Sequence, residues 1–126
     1  MFTNFEEAAF TLIKTAILKQ KKYNTMSHYL TRIELHTAVF PDDYNTLHKA
    51  MRLKGFSNSI QATDGKIYEL PTAEYYMISN STLEQVYNLA VEAANTIGKK
   101  YWIITTLFTS AKMELKQLTP PQNVQR

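Results

Sequence analysis

The residues best suited to chemistry are Tyr44, His48 and Arg52, which are spaced four residues apart. In a helix this spacing places side chains on neighbouring turns of one face. Metal-free RNA cleavage needs a base, an acid and a cation beside the phosphate, because the 2′-hydroxyl supplies the nucleophile. His48 is therefore a candidate acid or base, Arg52 a candidate phosphate clamp and Tyr44 a third catalytic candidate, with Lys49 beside them as a candidate RNA contact. The same pattern also fits ordinary polar residues at the border of an amphipathic helix. His36 is a weaker second candidate for a catalytic residue.

Other chemistries find little support in the sequence. The chain has no cysteine, and its three histidines are not spaced as metal ligands. Asp42 and Asp43 are adjacent, so in a helix their side chains diverge by about 100° and do not easily share an ion. With only three glycines the chain has no Gly-rich phosphate loop and no nucleophile elbow. We therefore expect no metal and no cofactor.

Two pairs of adjacent aromatic residues fall in predicted strands. Tyr75-Tyr76 and Tyr101-Trp102 must each place one ring on either face of a sheet, because side chains alternate along a strand. Tyr76 and Trp102 are candidates for the rings opposite the helices, where they could stack on RNA bases or contact a partner. The alternative is that they only cover the sheet or an oligomer contact.

The charge of the chain is mildly basic, with a formal net charge of +3. This net charge is compatible with binding to nucleic acid but does not by itself indicate it. Lys99 and Lys100 precede the last predicted strand and are candidate RNA or partner contacts, or simply the solvated end of a helix.

No apolar stretch is long enough for a membrane span, and the N-terminus lacks the pattern of a signal peptide. A cytoplasmic protein without membrane contact is expected.

Hydrophobic periodicity predicts an α+β order of elements. A helix in residues 1–25 has one apolar stripe and a second apolar edge at Phe10 and Ile17, which indicates contact with its own domain or with a partner. Pro41 is placed to start a later helix and Gly55 to end it. The predicted elements after residue 25 are a strand at 28–37, a helix at 41–55, strands at 56–62 and 67–70 around an Asp64-Gly65 turn, a strand at 75–78, a helix from a capping box at 81–84 to residue 98, a strand at 101–108 and a short helix at 110–118.

This order predicts a ferredoxin-like βαββαβ sandwich, in which a four-stranded antiparallel sheet carries two helices on one face. We expect a single domain over residues 1–126. It consists of an N-terminal helical extension (1–25), the ferredoxin-like core (28–108) and a C-terminal segment (109–126) with a short helix and a tail.

The stretch from about Tyr29 to Thr106 resembles the GhoS family of ferredoxin-like antitoxins from type V toxin–antitoxin systems. The residues that carry the resemblance are Phe40-Pro41-Asp42-Asp43-Tyr44, Phe56-Ser57 with Ile60, the Asp64-Gly65 turn and Leu70. The resemblance implies sequence-selective endoribonuclease activity on messenger RNA. The arginine proposed as catalytic in that family falls on Arg52 when counted forward from Tyr44, and on His48 when counted back from Phe56.

Two functions follow as hypotheses. The first is a GhoS-like RNA-binding antitoxin, a metal-independent endoribonuclease if it has the family's activity. The second is a noncatalytic phage or mobile-element protein that inhibits a larger host nucleoprotein complex, for example a CRISPR or other defence effector. A homodimer built through a sheet edge is a third, purely structural alternative.

Overall fold

The computed structural model describes residues 26–118, and the candidates Phe10 and Ile17 lie outside this range. Within it the chain is a mixed α+β structure, which confirms the predicted fold class at that level. The elements are β1 (Ser27–Leu35), α1 (Asp42–Leu53), β2 (Ser59–Gln61), β3 (Ile67–Glu69), β4 (Glu74–Ser79), α2 (Leu83–Asn95) and β5 (Tyr101–Phe108).

The main sheet has three antiparallel strands in the order β4-β1-β5. The central strand β1 alternates as predicted, with buried residues at 29, 31, 33 and 35. The side chains at 29, 33 and 35 pack with the buried residues of both helices, among them Leu47, Met51, Val86 and Ala90, in one hydrophobic core. Thr31, the one buried polar residue of the described part, shares a hydrogen bond with Thr105 across β1 and β5 (Oγ1 to Oγ1, 2.9 Å).

The two helices begin and end close to their predicted positions. Gly55 follows α1 at φ +94°, a left-handed conformation that side chains rarely adopt. The capping box of α2 lies one residue later than predicted: Thr82 accepts the backbone N–H of Gln85, whose side chain in turn accepts the N–H of Thr82. The Ser81 carbonyl, just before the cap, accepts the Tyr29 hydroxyl at 2.7 Å.

Within residues 26–118 the main sheet has three strands where four were predicted, because the segment after α1 leaves the sheet almost at once. Ser57 exchanges two backbone hydrogen bonds with Tyr76 of β4, at 2.8 and 2.7 Å. The Ser57 hydroxyl then accepts the N–H of Ser59 at 3.1 Å, a local bond that competes with continued pairing. The chain pairs instead as a separate two-stranded ribbon of β2 and β3.

The turn of this ribbon differs in detail from the two-residue turn predicted at Asp64-Gly65. Only Gly65 has a positive φ, of +83°, and its N–H donates to the Ala62 carbonyl at 2.9 Å. This is the three-residue form of hairpin, with glycine in the left-handed position. The Asp64 carboxylate accepts the N–H of Lys66 at 2.8 Å and closes the turn.

The helix predicted at 110–118 is wrong. Residues 110–116 are irregular, and the chain then lies beside β3, where Glu69 donates to the Lys116 carbonyl (2.9 Å) and Leu118 to the Ile67 carbonyl (3.0 Å). The outer edge of β3 has unpaired backbone groups that bond to this segment. These hydrogen bonds, and not the local preference for a helix, determine its conformation. The segment covers the outer edge of the ribbon.

Candidate functional site

The structure brings His48 of α1 against Tyr75 of β4. The Nδ1 of His48 and the Tyr75 hydroxyl lie 2.7 Å apart, and the two rings meet edge to face. Burial, and to a smaller extent the charge of Arg52, lower the pKa of His48 below its usual value. Burial, followed by the nearby Tyr44, raises the pKa of Tyr75 well above its usual range. Both groups are therefore neutral at neutral pH.

This hydrogen bond assigns the proton on the His48 ring. The Tyr75 hydroxyl is deeply buried, and its hydrogen bond in the described part of the chain is to Nδ1. If Nδ1 carried the proton, the hydroxyl hydrogen would lack an acceptor in an apolar core, at a cost of about 1–3 kcal/mol. We therefore assign Tyr75 as the donor and place the ring proton of His48 on Nε2. In this form His48 can donate a hydrogen bond from Nε2, but neither ring nitrogen is free to act as a base.

The other members of the predicted catalytic group have different surroundings. The Tyr44 hydroxyl accepts the backbone N–H of Leu35 at 2.9 Å, so it holds the end of β1 where that strand runs past Glu74, the first residue of β4. Arg52 and Lys49 are exposed, and neither is in an ion pair within residues 26–118. The group thus carries two exposed cations and one N–H donor but no free base.

The lowered pKa of His48 predicts a pH dependence of stability. Between the unfolded pKa, about 6.5, and the lower folded pKa, the unfolded chain binds more protons, so stability falls as the pH is lowered through this window. We expect acidification from pH 7.5 to 5.5 to lower the urea midpoint less in His48→Gln than in the native protein. The exposed neighbour provides the control, because Lys49→Gln should retain the native pH dependence; an unchanged pH dependence in His48→Gln would contradict the assignment.

The remaining basic candidates are separate from this group. The Lys99 ammonium donates to the Thr37 carbonyl at 3.1 Å and lies 3.5 Å from the Asp43 carboxylate. It therefore connects the loop after β1 with the first turn of α1. Lys100 is exposed, and its carbonyl accepts the N–H of His36. His36 meets the Trp102 ring edge to face at 4.8 Å. Lys99 therefore has structural partners, whereas the Lys100 side chain has no ion pair within residues 26–118.

The second candidate site is the side of the main sheet opposite the helices, here called the open face. Alternation along the paired strands places Tyr76 and Trp102 on this side, as predicted. The open face consists of His28, Leu30, Arg32 and Glu34 of β1, Glu74, Tyr76 and Ile78 of β4, and Trp102, Ile104, Thr106 and Phe108 of β5.

One end of the open face is an aromatic cluster. The His28 Nδ1 lies 2.6 Å from the Tyr76 hydroxyl, and the Phe108 ring is 5.7 Å from His28 and 6.3 Å from Tyr76. Burial raises the pKa of Tyr76. Together with Ile60 and Met113 these rings line a groove of about 290 Å³ between the sheet, the ribbon and the C-terminal segment. The rings are therefore engaged with one another and partly covered.

The other end is more exposed and carries two large apolar side chains beside the charged residues of the open face. Trp102 is 69% exposed and Ile104 is 61% exposed. Arg32, opposite Ile104, is paired with two carboxylates, at 3.8 Å from Glu34 and 3.3 Å from Glu74. The single cation of the open face is thus matched by acidic partners, and large apolar side chains remain in solvent.

The predicted site residues therefore form two groups rather than one. Tyr44, His48 and Arg52 belong to α1 on the helix side, while Tyr76 and Trp102 belong to the open face. Sequence reasoning missed Tyr75 as the partner of His48, and nothing in the spacing of residues 27 positions apart could have identified it. The inclusion of His28 in the aromatic cluster was predictable in part, because the alternation of β1 places it on the same side as Arg32.

Within residues 26–118 no group of three histidine, aspartate or glutamate side chains could hold a metal ion. Neither helix in this range has the length and apolar character needed to cross a bilayer.

Searches of protein-family models, curated proteins and solved structures find no match to this chain. The resemblance to the GhoS family stays a prediction.

Proposed function

We propose that this protein is a noncatalytic interaction protein that binds a protein partner through the open face of its sheet. The observation that carries the proposal is the exposure of Trp102, with 69% of its surface in solvent, beside Ile104. Tryptophan dominates the binding energy of many protein interfaces, because its large ring desolvates fully when it enters a pocket. A small protein of this kind is suited to cover a surface of a larger complex and so inhibit it.

The charges of the open face favour a protein over a nucleic acid. Binding to a nucleic acid backbone needs cations that replace counterions on the phosphates. Arg32 is the only lysine or arginine on the open face, and its charge is opposed by Glu34 and Glu74. An RNA strand laid along this surface would meet two carboxylates and one compensated arginine. An apolar protein patch with a polar rim fits the same surface without that penalty.

The test is affinity capture from a cell lysate with three forms of the full chain, before and after nuclease treatment. The native protein and Leu53→Glu should capture the same protein partner in both conditions, and Trp102→Glu should lose it. Leu53 is the matched control because it is an 87% exposed apolar residue on α1, away from the open face. Equal capture by Trp102→Glu and the native protein would contradict the proposed surface.

The second candidate is the GhoS-like RNA-binding function. It is supported by the group on α1, where Arg52, Lys49 and the Nε2–H of His48 could bind a phosphate. Because His48 is assigned without a free base nitrogen, this group supports binding of RNA more than its cleavage. In the same capture experiment, RNA as the ligand would give nuclease-sensitive capture that survives Trp102→Glu and is lost in Arg52→Ala.

We also propose that the architecture is a ferredoxin-like sandwich whose second strand is displaced. The bridge between Ser57 and Tyr76 supports this, because it puts the start of the ribbon beside β4. The spatial order becomes ribbon, β4, β1, β5, which is the strand order of that fold. The displaced strand leaves the groove beside Tyr76 open.

A further inference from the structure

The strand β5 forms an edge of the main sheet with an unusual composition. Its eight residues, Tyr101–Phe108, include no charged residue, proline or glycine. Within residues 26–118 it pairs with β1 on one side and with no strand on the other. Natural proteins normally protect an edge strand with charge, proline, a bulge or a covering segment, because its unpaired backbone groups can pair with a strand of another chain. The outer ribbon edge follows this rule, since residues 116–118 cover it.

The hydrogen bonds around β1 identify which backbone groups of β5 point away from the sheet. His36 donates to the Lys100 carbonyl on the β5 side, whereas Ile33 donates to the Ala73 carbonyl on the β4 side. In an antiparallel ladder successive residues point their N–H and C=O groups to opposite edges. Even-numbered residues of β5 therefore bond to β1. The outward groups belong to Tyr101, Ile103, Thr105 and Leu107.

We propose that this edge pairs with the same strand of a second copy of the chain, antiparallel and symmetric about Ile104. In this register Tyr101 meets Leu107 of the second copy, and Ile103 meets Thr105. All four outward residues then find outward residues as partners, which closes the backbone hydrogen bonds of the whole strand. The result is one six-stranded sheet of two protomers, related by a two-fold axis through the interface.

Self-pairing fits β5 better than pairing with a charged foreign strand. The strand carries no charge, so two copies meet without like-charge repulsion. At the centre Ile104 faces Ile104 of the second copy, a pair of β-branched side chains of the type that stabilises sheets. Ile104 is 61% exposed in the single chain and would lose solvent contact in the pair. The edge adjoins the open face and shares Ile104 with it, but the contact proposed here is backbone pairing with a second copy of the chain, so this inference goes beyond the proposed function.

Cysteine crosslinking tests the register directly, because the native chain contains no cysteine. Ile104 lies at a non-hydrogen-bonded position of the proposed pair, where opposite Cα atoms are about 4.5 Å apart. A disulfide accepts Cα separations of about 4.4–6.8 Å. Under mild oxidation we expect Ile104→Cys to form a covalent dimer rapidly and at least about tenfold faster than Ile78→Cys, an exposed position on β4 of the same face. Equal rates for the two variants would overturn the proposal.

A charge-swap experiment provides an independent readout by sedimentation at micromolar concentration. Ile104→Lys and Ile104→Glu should each be monomeric alone, because like charges would face each other, and an equimolar mixture should recover dimers. Since the side chain is mostly exposed, both variants should keep the native circular dichroism spectrum. A native chain that sediments as a monomer, or a mixture that stays monomeric, would overturn the proposal.

Discussion

Truncation of Leu47 to alanine should lower the free energy of unfolding by about 2–5 kcal/mol. Leu47 lies on α1 and is fully buried in the core between the helices and the sheet. Its removal leaves a cavity among Ile33, Met51 and their neighbours that dense packing cannot readily refill. Because a domain of this size has about 5–15 kcal/mol of total stability, this one change removes a large part of it. Urea unfolding followed by circular dichroism measures the loss.

The matched control is the same substitution six residues later. Leu53 is 87% exposed on the same helix, so Leu53→Ala should change the free energy of unfolding by less than about 0.5 kcal/mol. Both substitutions replace leucine with the better helix former alanine, so helix propensity does not separate them. Similar losses for the two variants would contradict the described packing of α1 against the sheet.

Replacement of Trp102 by alanine should weaken binding to the captured protein partner by at least about 30-fold, which corresponds to about 2 kcal/mol. The ring offers a large apolar surface that is in solvent in the free protein. Stability should change little, because the exposed ring contributes little to the core. Titration calorimetry with the purified partner measures the affinity. The fluorescence of Trp102, the only tryptophan of the chain, reports independently whether the open face becomes covered.

Tyr76 provides the comparison within the same face. Its hydroxyl is already bonded to His28 at 2.6 Å and its ring packs against Phe108. Tyr76→Phe should therefore reduce affinity by less than about threefold. A larger effect of Tyr76→Phe than of Trp102→Ala would move the binding site to the groove beside the aromatic cluster.

The open face and the His48 group on α1 differ in how far the sequence pattern predicts them. The open face follows from strand alternation alone, since Tyr76 and Trp102 must point away from whichever neighbour faces the core. The environment of His48 does not follow from the helix pattern. Helical spacing places Tyr44, His48 and Arg52 on neighbouring turns, but only β4 supplies Tyr75, and that hydroxyl determines which ring nitrogen carries the proton. Chemistry that depends on a contact between distant segments cannot be deduced from local spacing.

Local sequence determined the types of the elements between residues 27 and 108, the helix boundaries near Pro41 and Gly55, and which side chains of β1 face the core, because these features depend on neighbours within a few residues. Tertiary structure decided three other features: the departure of the ribbon from the sheet after Ser57, the extended path of residues 116–118 along β3, and the position of β5 at an edge of the sheet formed by residues 26–118. Each of these depends on whether a backbone group finds its partner in its own strand, in a side chain or in a distant segment. That competition involves residues far apart in the chain, and their relative positions exist only once the core has formed.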